Sequence, residues 1–429
     1  MVIEKLYSKI SNRFKVLWQY KIFRYATILH GVYFMLSLIL TLTIFRNQND
    51  FLVYYKVGEV FINNITDLYT ADYNWPFRYF PISALLFIPY YLLGFDLGFI
   101  MFNIVNLILN VLICKFLYKI IMVVKGVDHE PEEKRVIFYI CLYLMSLSQV
   151  FNYILGQINL YITLFLLISL YLFLKYESLK WNLVTSIILG ISVIIKPITL
   201  FLIPFLIIIN FDLEIKKFEI QFLKSIIRLV GFIIPLSLNI FIFLIHSELL
   251  EGFLSVNFTG EDTVLINHSF SITKLIQNFF IFIGFSQSQL LSFQLPLFII
   301  ILIIIGGIGF VFYLVRRLDN YSLIYGYTLG ILIMLLGYFD SWDHHLLILT
   351  PLLIIIIFNL PRESKLTKEF IKPSFFFLSF FDLAFMGIWF LLQNYFPFNF
   401  VPTIFLLLSF YTMSKYCLTK EMQSNNKKF

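Results

Sequence analysis

The sequence predicts an all-α polytopic membrane protein of about twelve transmembrane helices, and three observations support this. Of the 429 residues, 60% are hydrophobic and only 13% are charged, with a mean hydropathy of +0.87. Apolar runs of about 20 residues recur along the chain, and such runs cross hydrocarbon as helices because an unpaired backbone cannot. Positive charge is also unevenly distributed among the loops that join these runs. Together these observations exclude a soluble globular protein.

The apolar runs define the order of the predicted helices, with both termini on the cytoplasmic side. Lysine and arginine accumulate in cytoplasmic loops, and of the 32 in this chain all but Arg46, Lys56, Arg78, Lys196 and Lys274 fall on that side. The spans are expected at 25–45, 97–121, 136–152, 157–175, 182–196, 197–211, 229–246, 293–315, 321–338, 345–359, 374–393 and 402–416.

Two further apolar stretches, 78–94 and 276–293, are interpreted as outer interfacial helices. The first contains two prolines, the second is interrupted by "GFSQSQ", and counting the first as a crossing would move most cytoplasmic cations outside. They lie in the two long extracytoplasmic loops, 46–96 and 247–292. The predicted organisation is therefore one transmembrane domain, 25–416, between a basic cytoplasmic N-terminus, 1–24, and a basic cytoplasmic tail, 417–429. The first apolar run, 25–45, is too long for the core of a signal peptide, so it is interpreted as a retained signal anchor.

Composition also limits the chemistry. The longest polar stretches have only about 30 residues, and neither GxxxxGK[ST] nor GxGxxG occurs, so no soluble nucleotide-binding domain is expected. The net charge of +7 is better explained by anionic lipid than by nucleic acid. The three cysteines, Cys114, Cys141 and Cys417, form neither a disulfide framework nor a metal-binding spacing. The chemistry is therefore expected within the membrane or at its outer face.

The stretch "RNQNDFLVYY" places Asp50, Tyr54 and Tyr55 directly after the first predicted span. Asp50 is either a solvated or helix-capping acid or a catalytic carboxylate, and the tyrosines are either interfacial or substrate-binding. In "WPFRYFP", Arg78 is followed by Tyr79, and the arginine either extends toward the membrane surface or binds an anion. The candidate site residues in the first outer loop are therefore Asp50, Tyr54, Tyr55, Arg78 and Tyr79.

Two later motifs carry polar groups at the same level. "GQINL" places Gln157 and Asn159 at the outer start of a helix, where amides also serve as caps or interhelical bonds. In "IIKPIT", Lys196 lies between two short apolar halves and precedes a helix-breaking proline. A lysine at that depth requires an anion, a cage of carbonyls or a route to water, so a functional role is favoured there.

The second outer loop holds "NHSFSITK", with Asn267 and Ser269, and Asn267 also heads a triplet typical of glycosylation sites. "SWDHHLLILTP" places Trp342, His344 and His345 in the outer turn between two spans. A metal site is not favoured, because adjacent histidines point in different directions and no third ligand has suitable spacing. The histidines are better suited to donate to a phosphate or a leaving group.

All these groups share one outer level of the membrane, which suits an anionic head group whose tail lies in lipid. Their order resembles the polytopic glycosyltransferases of the GT-C class, and more narrowly the polyprenol-phosphate-mannose-dependent mannosyltransferases of glycosyltransferase family 87. The resemblance rests on "DFLVYY", "FRYFP", "GQINL", "GISVIIKPITLFLIP", "NHSFSITK" and "SWDHHLLILTP", which run in family order from about residue 50 to 351.

This resemblance implies a GT-C-type fold and transfer of one sugar, expected to be mannose, from a polyprenyl-phosphate donor to a glycan or glycolipid at the extracytoplasmic face of the cell membrane. The donor is a lipid-linked co-substrate, and no cofactor, metal or nucleic acid is expected. In the implied roles, Asp50 is the general base, and Arg78, Lys196 and one of His344 or His345 contact the phosphate. The implied substrate-binding residues are Tyr54, Tyr55, Tyr79, Gln157, Asn159, Asn267, Ser269 and Trp342.

Three other functions remain open at this stage. A ligase for lipid-linked glycans and a lipid flippase handle the same head groups at the same face. A secondary transporter also has about twelve helices, but it should show an internal repeat with broken helices in matching positions, and the sequence shows no such repeat.

Overall fold

The computed structural model describes residues 14–125, 130–213, 215–259, 269–316, 322–339, 341–361, 364–380, 396–397 and 400–418. The predicted helical class is confirmed, and one short β-hairpin accompanies the helices. The helices of the first half are α1 (Lys21–Thr43), α2 (Asp50–Asn63), α3 (Ile88–Leu92), α4 (Phe95–Lys125), α5 (Glu130–Met145), α6 (Leu147–Leu155), α7 (Asn159–Lys175), α8 (Leu179–Ile195) and α9 (Ile203–Leu206). Those of the second half are α10 (Phe222–Ile245), α11 (Ser247–Leu254), α12 (Ile272–Phe282), α13 (Gln287–Leu314), α14 (Ser322–Gly337), α15 (Leu346–Asn359) and α16 (Val401–Leu418).

The bundle is organised around two helices that are apolar on every side. Residues 323–337 of α14 are buried, and so are residues 346–358 of α15. A helix without a polar face has to lie inside a large core or inside a membrane. By contrast, α1, α10 and α13 expose large apolar side chains such as Ile39, Phe241 and Ile303. Apolar groups on the outside of the bundle match a hydrocarbon solvent and define a multi-pass membrane protein.

Within the described residues, α1, α4, α10 and α13 are each long and apolar enough to cross a membrane, and the α5–α6 pair makes a fifth span if its 41° bend is included. The other apolar segments have 10–17 residues, fewer than the about 20 needed for a straight crossing. The number of twelve spans therefore stays a prediction. The last-but-one expected span, 374–393, is described only as far as residue 380.

The prediction of one helix over 197–211 was wrong for the second half of that range. Pro197–Leu202 is a 3₁₀ turn, α9 adds one further turn, and the chain then enters strand β1 (Ile209–Asp212). This strand pairs antiparallel with β2 (Lys217–Ile220), with Ile209 opposite Ile220. Pro197 and Pro204 each stand in the first turn of a short helical segment, where the missing N–H breaks the hydrogen-bonded continuity with the residues before it.

Small residues allow close packing between α8 and α10. A Cβ at Gly190 would lie 2.4 Å from the carbonyl oxygen of Phe232, and one at Gly231 would lie 2.7 Å from that of Leu183. Helices inside membranes associate through such close backbone approach rather than through a hydrophobic driving force. Lys196, which belongs to the site described next, directly follows the last residue of α8.

Of the two expected interfacial stretches, 78–94 forms short helices, whereas 276–293 runs from α12 into the start of the long helix α13 at Gln287, so that part of the prediction was wrong. Residues Pro81–Leu86 form a 3₁₀ turn that is followed by α3, and the later outer loop contains α11 and α12. Asp50, expected near a loop, instead begins the 14-residue helix α2. The first long loop is thus largely helical and is packed onto the bundle.

Candidate active site

Asp50 is held at the start of α2 by the residue before it. Asn49 is the N-cap, and its side-chain oxygen accepts a hydrogen bond from the N–H of Leu52 at 2.8 Å. The amide nitrogen of Asn49 donates to the carbonyl of Phe45 at 2.7 Å, so the turn is closed on both sides. Since Asn49 performs the capping, the half-buried carboxylate of Asp50 is available for other contacts.

Gln157 reaches Asp50 because of the glycine that precedes it. Gly156 ends α6 with a left-handed φ of 70°, a conformation that side chains other than glycine adopt at a cost. A Cβ there would also lie 2.5 Å from the Cβ of Phe51, the residue after Asp50. This close approach lets the amide nitrogen of Gln157 donate to Oδ2 of Asp50 at 2.5 Å. The "GQ" pair is therefore a geometric requirement of the site.

The other end of the Gln157 amide faces a buried cation. Its Oε1 accepts from the Tyr54 hydroxyl at 3.3 Å and from Nζ of Lys196 at 3.5 Å. Lys196 is only 5% exposed, and its Nζ also donates to Oδ1 of Asn159 at 3.0 Å and lies 5.6 Å from the centre of the Tyr79 ring. Amide oxygens and an aromatic face compensate part of the cost of burying this charge. Gln157 thus bridges the carboxylate and the cation.

The histidine pair occupies a 3₁₀ turn, Asp343–His345, directly before α15. Burial and the nearby charge of Lys196 hold the pKa of His344 well below its usual value, so this imidazole is neutral. Nδ1 of His345 accepts the backbone N–H of Trp342 at 3.1 Å, which leaves the proton of a neutral ring on Nε2. That Nε2 is buried and has no hydrogen-bond partner among the described residues. His345 therefore offers an unused N–H donor.

One cavity of about 1360 Å³ collects these groups at its polar end. Asp50 is the only carboxylate among the described residues that line it, and Arg78 and Lys196 are the lysine and arginine side chains in the same set. The predicted site residues that line it are Asp50, Tyr54, Arg78, Tyr79, Gln157, Lys196, Trp342, His344 and His345. One negative group facing two positive groups and several N–H donors suits an anion next to a proton acceptor.

From this polar end the cavity continues as an apolar arm. Its wall on α13 is a stripe from Phe298 to Phe310, which corresponds to about 18 Å along a helix. The arm is open on the outside of the bundle, where Ile303 has 66% of its surface exposed. Two glycines widen it: a Cβ at Gly307 would meet no atom within 4 Å, and one at Gly306 would meet only side-chain atoms at 3.8 Å or more. The opposite wall consists of Leu200, Phe201, Ile203, Pro204, Phe205, Ile333 and Met334.

Three described site residues of the prediction do not line this cavity, and a fourth is not described. Tyr55 packs against Tyr91 and Phe95 on another face of α2. Asn159 is fully buried behind Lys196 and positions it. Ser269 joins two loops, since its hydroxyl accepts the N–H of Ser341 at 3.1 Å and donates to Ser271. Asn267 lies outside the described residues.

Other lining residues were not anticipated from the sequence. Gln48, Asn74 and Trp75 line the polar end, and Gly306 and Gly307 line the apolar arm. Trp75 stands in the "WPFRYFP" stretch, but the presence of a tryptophan there does not distinguish a residue of the cavity wall from one of the aromatic belt at the membrane interface. The adjacent glycines in an otherwise apolar span were the available signal for the arm. Among the described residues, no group of three histidine, cysteine or acidic side chains is arranged to hold a metal ion.

The fold and the site together define a class: a multi-pass membrane protein whose cavity joins a charged pocket to an open apolar groove. The family model of glycosyltransferase family 87 matches residues 77–337. Because this match covers more than half of the chain, the protein belongs to glycosyltransferase family 87 and is a membrane glycosyltransferase. No curated protein matches the sequence.

The family match includes only part of the site. Arg78, Tyr79, Gln157 and Lys196 lie within residues 77–337, whereas Asp50 precedes them. Trp342, His344 and His345 follow the matched residues. The structure brings the segments before and after the matched residues to the same cavity as the matched ones. Residues outside the family match therefore contribute to the site.

Proposed function

We propose that the protein transfers a single sugar, mannose on the resemblance of its motifs, from a polyprenyl-phosphate donor to a glycan or glycolipid acceptor. The reaction takes place at the extracytoplasmic face. The observation that carries the proposal is the Asp50–Gln157–Lys196 chain of hydrogen bonds at the head of an open apolar groove. A proton acceptor is thereby linked to a cation at the place where a charged head group would join its lipid tail.

Each part of the donor has a matching part of the cavity. The isoprenoid chain lies in the arm along α13, where all contacts are apolar and burial stabilises each methylene by about 0.8 kcal/mol. The phosphate lies at the polar end against Lys196 and Arg78. The free Nε2–H of His345 donates to a phosphate oxygen, and the neutral His344 beside it completes this wall.

In the proposed reaction the acceptor hydroxyl oxygen attacks C1 of the donor sugar while the bond from C1 to the phosphate oxygen breaks. The hydroxyl proton passes to the Asp50 carboxylate, and the bonding electrons leave with the polyprenyl phosphate. Attack in line on a β-linked donor yields an α-glycoside. General-base catalysis of this kind contributes roughly 10²- to 10⁴-fold, and the cations stabilise the charge on the leaving phosphate. No cofactor enters this sequence of steps.

Transfer of labelled mannose from polyprenyl-phosphate mannose, measured in membranes that contain the protein, tests the proposal. We expect wild-type activity and a loss of roughly 10²- to 10⁴-fold in Asp50→Ala. Asp96→Asn is the matched control, because Asp96 is a neighbouring carboxylate that pairs with Arg46 at 2.6 Å and does not line the cavity. Full activity of an inserted Asp50→Ala would remove the base role. Absence of transfer by the wild type would contradict this donor.

A further inference from the structure

Trp75 is a tryptophan on the cavity wall that the proposed donor does not use. It lines the polar end, 55% of its surface is exposed, and no described residue stacks on its ring or hydrogen-bonds to its side chain. The neighbouring Asn74 donates to the carbonyl of Asn47, so the loop of Trp75 lies against the turn that leads into Asp50. On another side of Asp50, Gln157 connects the carboxylate to Lys196: its amide nitrogen donates to Asp50, and its amide oxygen accepts from the lysine. The loop of Trp75 and the Gln157–Lys196 pair thus approach Asp50 separately, the first through the turn before it and the second through the Gln157 amide.

The loop that carries Trp75 is anchored on both sides. Before it, Nζ of Lys56 donates to the carbonyl of Asp72 at 3.0 Å. After it, the carbonyl of Arg78 accepts from Asn257 at 3.2 Å. The next carbonyl, that of Tyr79, accepts the hydroxyl of Tyr69 at 2.7 Å. These bonds hold the backbone of the loop on both sides of Trp75, so less backbone freedom is lost when a ligand binds there, which favours recognition.

The chemistry around the ring suits a carbohydrate. An exposed indole presents a flat apolar face, and the amides of Gln48 and Asn74, both on the cavity wall, donate and accept hydrogen bonds as sugar hydroxyls require. Tryptophans also serve as interfacial anchors, and Trp181 offers the comparison within this chain. Trp181 is 36% exposed but stacks on Tyr176 at 4.4 Å and lies outside the cavity. Trp75 differs in having an open face toward the site.

We propose that Trp75, with Gln48 and Asn74, forms the acceptor subsite, and that the acceptor presents a sugar ring rather than a bare lipid alcohol. The proposal rests on the function proposed above, since it places the sugar that receives the new linkage next to Asp50. The acceptor ring stacks on the indole face while its hydroxyl reaches the carboxylate. The donor phosphate remains at Lys196.

The test separates donor use from acceptor use in the full-length protein. Two rates are measured with radiolabelled polyprenyl-phosphate mannose: slow release of free mannose by water in detergent, and transfer to the endogenous acceptors of native membranes. In Trp75→Ala we expect unchanged release by water and transfer reduced roughly 3- to 10-fold at limiting acceptor, with partial recovery in Trp75→Phe. Trp181→Ala is the matched control and should leave both rates unchanged. Partial acid hydrolysis of the product should yield labelled disaccharide or longer fragments.

Each of the remaining possible results would contradict one specific proposal. Equal loss of both rates in Trp75→Ala would assign the indole to donor binding or to folding and overturn the acceptor subsite. Unchanged transfer would also overturn it, and label recovered only as a monosaccharide attached directly to lipid would show that the acceptor carries no sugar. If the wild type neither releases nor transfers mannose, the function proposed above fails independently of Trp75.

Discussion

At the scale of single residues, the site depends on Gln157, whose amide touches both the carboxylate and the lysine. The distance from its nitrogen to Asp50 is 2.5 Å, and its oxygen lies 3.5 Å from Lys196. The sequence identified each of these three residues as a candidate, but it did not predict that they contact one another. Contacts between residues about 40 and 100 positions apart arise only when the helices pack, so the bridge could not be read from local sequence.

Gly156→Ala tests how closely this bridge depends on its turn. The substitution adds a strained positive φ, which costs roughly 1–2 kcal/mol, and a Cβ only 2.5 Å from that of Phe51. Gly94→Ala is the matched control, because Gly94 also has a positive φ of 77° but no atom within 4 Å of its added Cβ. We expect a lower thermal stability in both variants and a more than tenfold loss of transfer in Gly156→Ala alone. Equal transfer by both variants would show that Gln157 does not depend on this close approach.

At the scale of elements, α13 has two different sides. One side carries the stripe that lines the apolar arm, and the other exposes residues such as Ile304, which is 50% exposed and is not part of the cavity wall. The sequence of α13 is apolar throughout, so hydropathy alone does not separate the two sides. Gly306 and Gly307 mark the cavity side, since backbone without side chains leaves a gap between packed helices.

Gly307→Phe should close the apolar arm without disturbing the fold. Open space surrounds the position of the added Cβ, and a phenyl ring there fills the groove that the isoprenoid chain would occupy. We expect the KM for a long-chain polyprenyl-phosphate donor to rise at least tenfold, and that for a donor with a much shorter chain to change less. Ile304→Phe places a phenyl ring at an exposed position of the same helix that does not line the cavity, and serves as the control. An unchanged KM for the long-chain donor would place the lipid elsewhere.

At the scale of the whole molecule, the predicted sides of the loops can be compared with the contacts at the two ends of the bundle. Nine of the thirteen site residues expected at the outer level line one cavity. At the other end, Arg316 donates to the carbonyl of Ile209 at 2.9 Å, which joins the end of α13 to strand β1. Both belong to segments that positive charge assigned to the cytoplasmic side. The helices depart from the prediction after Lys196, where the chain contains two prolines and then enters a hairpin.

The direction of the bundle in the membrane is testable by cysteine labelling. In a chain whose native cysteines are replaced, Asp72→Cys lies on the exposed loop before Trp75, and Lys217→Cys lies on the exposed hairpin. We expect a membrane-impermeant maleimide to label Asp72→Cys in intact cells, and Lys217→Cys only after permeabilisation. The reversed pattern would put the cavity on the cytoplasmic side and contradict the proposed site of reaction.

The sequence by itself determined the membrane class, the order of most helices and the residue types of the site. These follow from local hydropathy, from the distribution of lysine and arginine, and from motifs that stand within a few residues of one another. Only the tertiary structure decided which of the candidates share the cavity. It placed Asp50, Gln157, Lys196 and the histidines there, while Tyr55 faces another helix and Ser269 joins two loops. The physical reason is that the direction of a side chain depends on helix rotation and packing, which residues distant in the sequence determine.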